Sequence, residues 1–145
     1  MKAIYGAVRD PLDGGLNAAR RRVTTVMSSP VTCATSVTSL GDALQTMVRA
    51  GLRHLAVTGE TGRFIGILSD RAVAAAWAAD PGGLSHTTVA TVLEPGPAIV
   101  PAGGHVLEAA RIMRAAGTDA VAVIDDAGGI IGIVTGSDLI EQLAR

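Results

Sequence analysis

Two polar residues near the carboxyl end of the chain, Thr135 and Asp138, have types and a spacing that suit a nucleotide. The apolar residues before Thr135 predict a strand, and a helix is predicted to start within three residues. Such a junction directs free backbone N–H groups and the positive end of the helix dipole outward, where a phosphate binds well. The Asp138 carboxylate can accept hydrogen bonds from both hydroxyls of a ribose, and the Thr135 hydroxyl can donate to a phosphate or ribose oxygen.

The same spacing also fits a purely structural role. Thr-x-x-Asp before an apolar run is a capping-box pattern, in which the two side chains satisfy backbone N–H groups at the start of a helix. The two roles are compatible, so these residues alone leave both open.

The elements that position this pair occur twice, 66 residues apart. The stretch from Met47 to Asp70 is answered by the stretch from Met113 to Gly136. Identical pairs at this offset include Val26/Val92, Ala43/Ala109, Met47/Met113, Gly51/Gly117, Val57/Val123, Gly62/Gly128, Ile65/Ile131, Gly66/Gly132 and Ile67/Ile133. One copy is too short to bury a stable core, so we expect the two copies to pack against each other.

Each copy predicts the same order of elements. A short helical turn (24–27 or 90–93) precedes a proline-bearing extended segment. An amphipathic helix follows, capped by Ser39 and Asp42 in the first copy and ended by Gly51 or Gly117. Then come two strands joined by a glycine-bearing turn, and a final helix. We therefore predict an α/β (α+β) fold of two tandem β-α-β-β-α units related by a pseudo-twofold axis, over residues 23–80 and 81–145.

Residues 1–22 lie outside the repeat. The segment DPLDGG is typical of a loop, so we expect a tail or a loosely docked arm. The adjacent Arg20, Arg21 and Arg22 leave open an arm that folds over a phosphate or a partner.

The repeated order of elements resembles the CBS domain, which occurs as tandem pairs. The resemblance rests above all on GILSDRA (66–72) and GIVTGSD (132–138), and it covers about residues 23–143. It implies a disc of two packed units that dimerises again and binds AMP, ADP, ATP or S-adenosyl ligands between the repeats. It also implies a regulatory sensor rather than a catalyst, and it assigns ribose and phosphate contacts to Thr135 and Asp138.

The first repeat departs from this pattern. Ser69 keeps the hydroxyl, but Ala72 stands where the aspartate would be, and a methyl group cannot hold a ribose diol. We expect the first cleft to be weak, empty or altered. Asp70 is two residues early and is expected to point elsewhere, and Arg71 is expected to be an exposed helical arginine.

The symmetry of such a pair implies that the cleft at Thr135 and Asp138 also uses the opposite repeat. The expected lining residues are Val31, Thr32, Cys33, Leu52, Arg53, His54 and, on the strand before Thr135, Ile133, which would cover the adenine. Arg53 is either a phosphate ligand or an exposed charge, and Cys33 is expected to be a small buried filler. Asp119, at the matching strand start of the second repeat, would repel phosphates and favours a ligand with few of them.

Composition excludes several classes of protein. The net charge of -1 argues against general binding to nucleic acid, and the single cysteine excludes an intrachain disulfide. No apolar run approaches the ~20 residues of a membrane span, so we expect a soluble cytoplasmic protein. The three histidines and Cys33 lack metal-ligand spacing, and nothing suggests a nucleophile with its base, so we predict no metal, no catalytic residue and no required cofactor.

These residues predict a stand-alone regulatory module that binds an adenosine-containing ligand and signals to a separate effector protein. We also expect a homodimer, with Trp77 on an alanine-rich helix either at the dimer surface or in the core. The alternative is a dimeric scaffold whose clefts bind nothing. Ala72 favours that alternative, and Asp138 opposes it.

Overall fold

The computed structural model describes residues 11–93 and 96–145. It contains two three-stranded sheets, one in each repeat, with helices packed on them. In chain order the elements are α1 (Pro11–Ala19), α2 (Val23–Val26), β1 (Cys33–Thr35), α3 (Leu40–Ala50), β2 (His54–Thr58), β3 (Phe64–Ser69), α4 (Asp70–Ala79), α5 (Val89–Val92), β4 (Ile99–Pro101), α6 (Val106–Ala116), β5 (Ala120–Ile124), β6 (Ile130–Thr135) and α7 (Gly136–Ala144). The predicted α+β class and the order of elements in each repeat are confirmed.

The two sheets have the same topology. In each, a short edge strand runs parallel to the middle strand, which is antiparallel to the third, giving the orders β1-β2-β3 and β4-β5-β6. Their registers match at the 66-residue offset: His54 pairs with Ser69, and Ala120 pairs with Thr135. Each sheet therefore brings the start of its middle strand beside the start of its final helix.

The helices between the first two strands of each sheet have the predicted ends. The Ser39 hydroxyl accepts a hydrogen bond from the N–H of Asp42 at 3.1 Å and so caps α3. Gly51 and Gly117 end α3 and α6 with φ values of 66° and 64°, which residues with a side chain rarely adopt.

The short helices are exchanged between the repeats. Val23 of α2 is fully buried in the core of the second repeat, and Val89 of α5 is fully buried in the core of the first. The N–H of Val23 donates to the carbonyl of Gly104 at 3.0 Å, and the N–H of Val89 donates to the carbonyl of Thr38 at 2.8 Å. Each core is therefore completed by a segment from the other sequence repeat.

A third apolar cluster joins the two sheets. Its buried residues are Ala56, Ala120 and Ile133, one from each of three strands. Beside it, the segment before β1 crosses to the second repeat, where the N–H groups and carbonyls of Ser28 and Ile133 bond reciprocally at 2.9 and 3.2 Å. The first repeat thus adds backbone to the edge of the second sheet.

The expectation of a tail or loosely docked arm over residues 1–22 is corrected for the described part. Residues 11–19 form a helix that packs on α6 and α7 and buries Ala18 to 1% exposure. Arg21 donates to the Gln142 side-chain oxygen at 2.7 Å. Proline is well tolerated at the first helical position, and packing on the second repeat outweighs the loop tendency of Gly14 and Gly15.

Candidate functional site

A cleft of about 560 Å³ lies between the two repeats. This volume falls within the range of pockets that hold small organic molecules. Its lining residues are Ser28, Pro30, Val31, Thr32, Gly51, Leu52, Arg53, His54, Asp70, Arg71, Asp119, Ile133, Thr135, Gly136 and Ser137. Both repeats contribute lining residues, and the start of α7, the helix after β6, forms one wall.

That wall is the amino-terminal end of α7. Thr135 is the residue before the helix, and its hydroxyl accepts a hydrogen bond from the Asp138 N–H at 3.4 Å. Asp138 Oδ2 accepts from the Thr135 N–H at 2.8 Å and from the Thr135 hydroxyl at 3.1 Å. The capping box expected from the spacing is therefore present, and it fixes both side chains at the start of α7.

An extended segment of the first repeat forms another wall. Val31 and Thr32 precede β1, and Val31 packs beside the Ile133 cluster. Ile133 is 8% exposed and its small remaining surface faces the cleft. This side of the cleft is apolar, which suits a flat ring, whereas the α7 end is polar.

The cleft also holds two arginines and two aspartates in pairs. Arg53 Nε lies 3.4 Å from Asp70 Oδ2 within the first repeat. Arg71 lies 3.7 Å from Asp119 Oδ2, and His54 Nε2 lies 3.1 Å from Asp119 Oδ1, so Asp119 links the second repeat to the first. Partial burial acts to raise the pKa of Asp119, but the hydrogen bond and the charge of His54 outweigh it and lower that pKa below its ordinary value.

A family model for the CBS domain matches residues 23–79 and again residues 89–145. The chain belongs to the CBS-domain family. The two matched ranges are the two sequence repeats, so this is a tandem CBS pair, and the resemblance found in the sequence is confirmed.

Solved structures agree with this fold. A conserved CBS-domain protein of Thermoplasma acidophilum is 27% identical, with 86% of this chain and 70% of that chain covered and a TM-score of 0.77. The CBS domain of a bacterial CNNM/CorC family Mg²⁺ transporter in complex with ATP is 21% identical, with coverage of 92% and 94% and a TM-score of 0.76. CBSX2 in complex with AMP is 23% identical, with coverage of 83% and 94% and a TM-score of 0.70. Among curated proteins, none matches this sequence.

The CBS-pair cleft gathers most of the residues that the sequence predicted for it. Seven of them line it: Val31, Thr32, Leu52, Arg53, His54, Ile133 and Thr135. Asp138 is not among the lining residues, and its Oδ2 accepts hydrogen bonds from Thr135.

Cys33 differs from its prediction as a buried filler. It begins β1 and is exposed, because alternation along the strand turns Ala34 into the core instead. Desolvation raises the pKa of its thiol, which therefore stays protonated at neutral pH. Cys33 is not among the residues that line the cleft.

Sequence reasoning missed two charged lining residues, Asp70 and Arg71. Asp70 was expected to point away from the first repeat's own cleft, but it faces this one and pairs with Arg53. It begins α4 as Gly136 begins α7, at the 66-residue offset, so the twofold relation brings both helix starts to the same cleft. That relation was the signal that could have identified it.

At the matching junction of the first repeat, Ser69 and Ala72 make structural contacts. The Ser69 hydroxyl accepts from the Ala72 N–H at 3.1 Å and caps α4, while Ala72 packs against the core. The counterpart of the Ser28 segment includes Glu94 and Pro95, which lie outside the described residues. A weak or empty first cleft stays a prediction.

Within the described ranges, 11–93 and 96–145, no helix has the length and apolar character needed to cross a bilayer. In the same ranges, no three histidine, cysteine, aspartate or glutamate side chains come close enough together to bind a metal ion.

Proposed function

We propose that this CBS pair is a regulatory module that binds an adenosine-containing ligand, of the AMP, ADP, ATP or S-adenosyl type, in the cleft between its repeats. The observation that carries the proposal is the pairing of an apolar wall, Val31 and Ile133, with the polar start of α7 in one cleft of about 560 Å³. CBS structures solved with ATP and with AMP give the same ligand class in this fold.

Each part of the ligand is assigned to one part of the cleft. The adenine ring lies between the extended segment and Ile133, and backbone groups of that segment bond its edge. The ribose hydroxyls bond Asp138, and a phosphate lies at the N–H group of Ser137. The chain itself supplies no catalysis in this proposal.

The proposed mechanism is closure of the cleft. A ligand that contacts both repeats favours the closed arrangement only by as much as it binds that arrangement more tightly. Because α2 and α5 cross between the repeats, closure shifts both cores together and changes the surface that an effector protein meets.

Thermal unfolding in the presence of AMP, ADP, ATP or S-adenosylmethionine tests the binding. A ligand at 100 times its Kd stabilises the folded state by about 2.7 kcal/mol. Asp138→Ala should remove this stabilisation. Asp42→Ala is the matched control, because Asp42 occupies the same position in α3 but lies outside the cleft.

The outcomes separate the alternatives. Stabilisation that persists unchanged in Asp138→Ala would show that the site is misassigned. If none of the four compounds stabilises the protein, the chain is better described as a scaffold whose cleft binds nothing.

We also propose that the module forms a homodimer through α4. Trp77 on this helix is 55% exposed, and its alanine neighbours allow close approach of another helix. Sedimentation of the wild type and of Trp77→Ser tests this surface. A dimer that becomes monomeric in the variant supports it, and a dimer of unchanged strength contradicts it.

A further inference from the structure

We infer that the cleft selects an adenosine ligand with at most one phosphate, and that Asp119 is the residue that excludes longer phosphate chains. This inference rests on the proposed function and narrows its ligand class.

The positive and negative charges of the side chains that line the cleft balance each other. Its charged side chains are Arg53, Arg71, Asp70 and Asp119, beside His54. Each arginine lies within 4 Å of an aspartate, at 3.4 Å for Arg53 and 3.7 Å for Arg71. The cleft therefore offers a phosphate chain two arginines that are already paired, and two carboxylates that repel it.

One phosphate can still be held without these arginines. The start of α7 provides the backbone N–H of Ser137 and the positive end of a helix dipole, whereas the Gly136 N–H donates to the Asp119 carbonyl at 2.8 Å. Each further phosphate adds about one negative charge that the single helix end cannot neutralise. It must then draw an arginine away from its aspartate and leave that carboxylate exposed to the phosphate.

Asp119 matters most because it is held from two sides. His54, whose side chain is 10% exposed, bonds one carboxylate oxygen at 3.1 Å, and Arg71 faces the other. Its lowered pKa keeps it ionised at neutral pH. The equivalent residue of the first repeat is Arg53, so the twofold relation places an anion in the cleft where a second cation would otherwise stand.

Titration calorimetry with adenosine, AMP, ADP and ATP, in EDTA to remove divalent cations, tests the inference. The wild type should bind AMP at least as tightly as ADP, and ADP more tightly than ATP. Asp119→Asn should bind each phosphorylated ligand more tightly than the wild type does. This gain in affinity should grow by about threefold per added charge, and the affinity for adenosine should change least. Asp70→Asn, which frees Arg53, should act in the same direction.

Asp126→Asn is the matched control. Asp126 is exposed in the turn at the other end of β5, about 17 Å along the strand, which exceeds the Debye length of about 8 Å at physiological salt. The substitution Asp126→Asn removes the same charge as Asp119→Asn and should leave the affinities for all four ligands unchanged.

Three outcomes would overturn the inference. Wild-type protein that binds ATP more tightly than AMP contradicts it directly. Asp119→Asn that changes all four affinities equally shows that Asp119 does not discriminate phosphate number, while the proposed function stands. If none of the four compounds binds, the proposed function fails and the inference fails with it.

Discussion

At the residue scale, the ribose contact proposed for Asp138 and its role in the helix cap use different oxygens of one carboxylate. Oδ2 accepts two hydrogen bonds, from the Thr135 N–H in the capping box and from the Thr135 hydroxyl. Among the described residues, no hydrogen bond reaches Oδ1. A ribose hydroxyl can therefore be bound without breaking the cap.

The first prediction separates these two roles. Asp138→Asn keeps an oxygen that can accept from the Thr135 N–H, so we expect the free energy of unfolding to fall by less than about 1 kcal/mol. Loss of the charge should weaken AMP binding at least tenfold, because hydrogen bonds to charged groups contribute about 1.5–3 kcal/mol. Urea unfolding and calorimetry measure the two effects. Wild-type affinity for AMP in this variant would show that the carboxylate does not bind ribose.

The second prediction concerns the pH dependence of Asp119. Its pKa is lower in the folded state than the ordinary value of 3.8, so its ionised form stabilises the fold above that value. This stabilisation should be lost as the pH falls below about 4 and through the lower folded pKa. It should amount to less than about 1 kcal/mol, since the side chain is half exposed.

Urea unfolding of the wild type and of Asp119→Asn between pH 5 and pH 2.5 measures it, a range below the one in which histidine side chains ordinarily change charge. The difference between them should be largest near pH 5 and should shrink below pH 4. A difference that instead grows below pH 4 would contradict the ion pairing. Asp126→Asn again serves as the control.

At the scale of elements, the crossing segment around Ser28 determines the shape of the cleft. It is held by its two backbone bonds to Ile133 and by Met27, whose side chain lies over Gly132. A side chain at Gly132 would place its Cβ 2.7 Å from Met27 Cγ and 3.0 Å from Met27 Cβ, which is closer than carbon atoms approach. The shared glycines Gly66 and Gly132 thus each admit a side chain from a crossing segment.

The third prediction uses this contact. Gly132→Ala should push Met27 and the crossing segment outward, lower the free energy of unfolding by about 1–3 kcal/mol and weaken AMP binding. Gly66→Ala is the matched control, because the Leu93 side chain there lies 3.4 Å from the added Cβ and can adjust. Equal stability and equal AMP affinity in the two variants would show that the Met27 contact does not hold the wall.

At the scale of the whole molecule, the two sequence repeats are not the two structural halves. Each core combines the sheet and long helices of one repeat with the short helix of the other. The N–H of Leu40 bonds the carbonyl of Thr87, and the N–H of Val106 bonds the carbonyl of Arg21, both at 2.8 Å. A conformational change in one half therefore reaches the other through the covalent chain as well as through the contacts between the two sheets.

The fourth prediction follows from the exchange. Val23→Ala and Val89→Ala, equivalent positions at the 66-residue offset, should each cost about 2 kcal/mol, because both side chains are fully buried. Native-state amide exchange should speed up in β4–β6 for Val23→Ala and in β1–β3 for Val89→Ala. Faster exchange in each variant's own repeat would contradict the exchanged arrangement.

The sequence by itself determined the elements and their family. Apolar periodicity, caps at Ser39 and Thr135, and the terminating Gly51 and Gly117 are local signals, and local hydrogen bonding and backbone sterics act on them wherever the chain lies. The repeat added the equivalence of positions, which predicted seven of the fifteen lining residues of the cleft, drawn from both halves.

Only the tertiary structure decided how these pieces meet. Docking of α1 on α6 and α7, the orientation of Asp70 and the ion pairs of Asp119 depend on residues far apart in the chain. The exposure of Cys33 depended on which face of β1 the core covers. Contacts of this kind arise from burial and charge across the seam between repeats, and no local pattern in the chain encodes them.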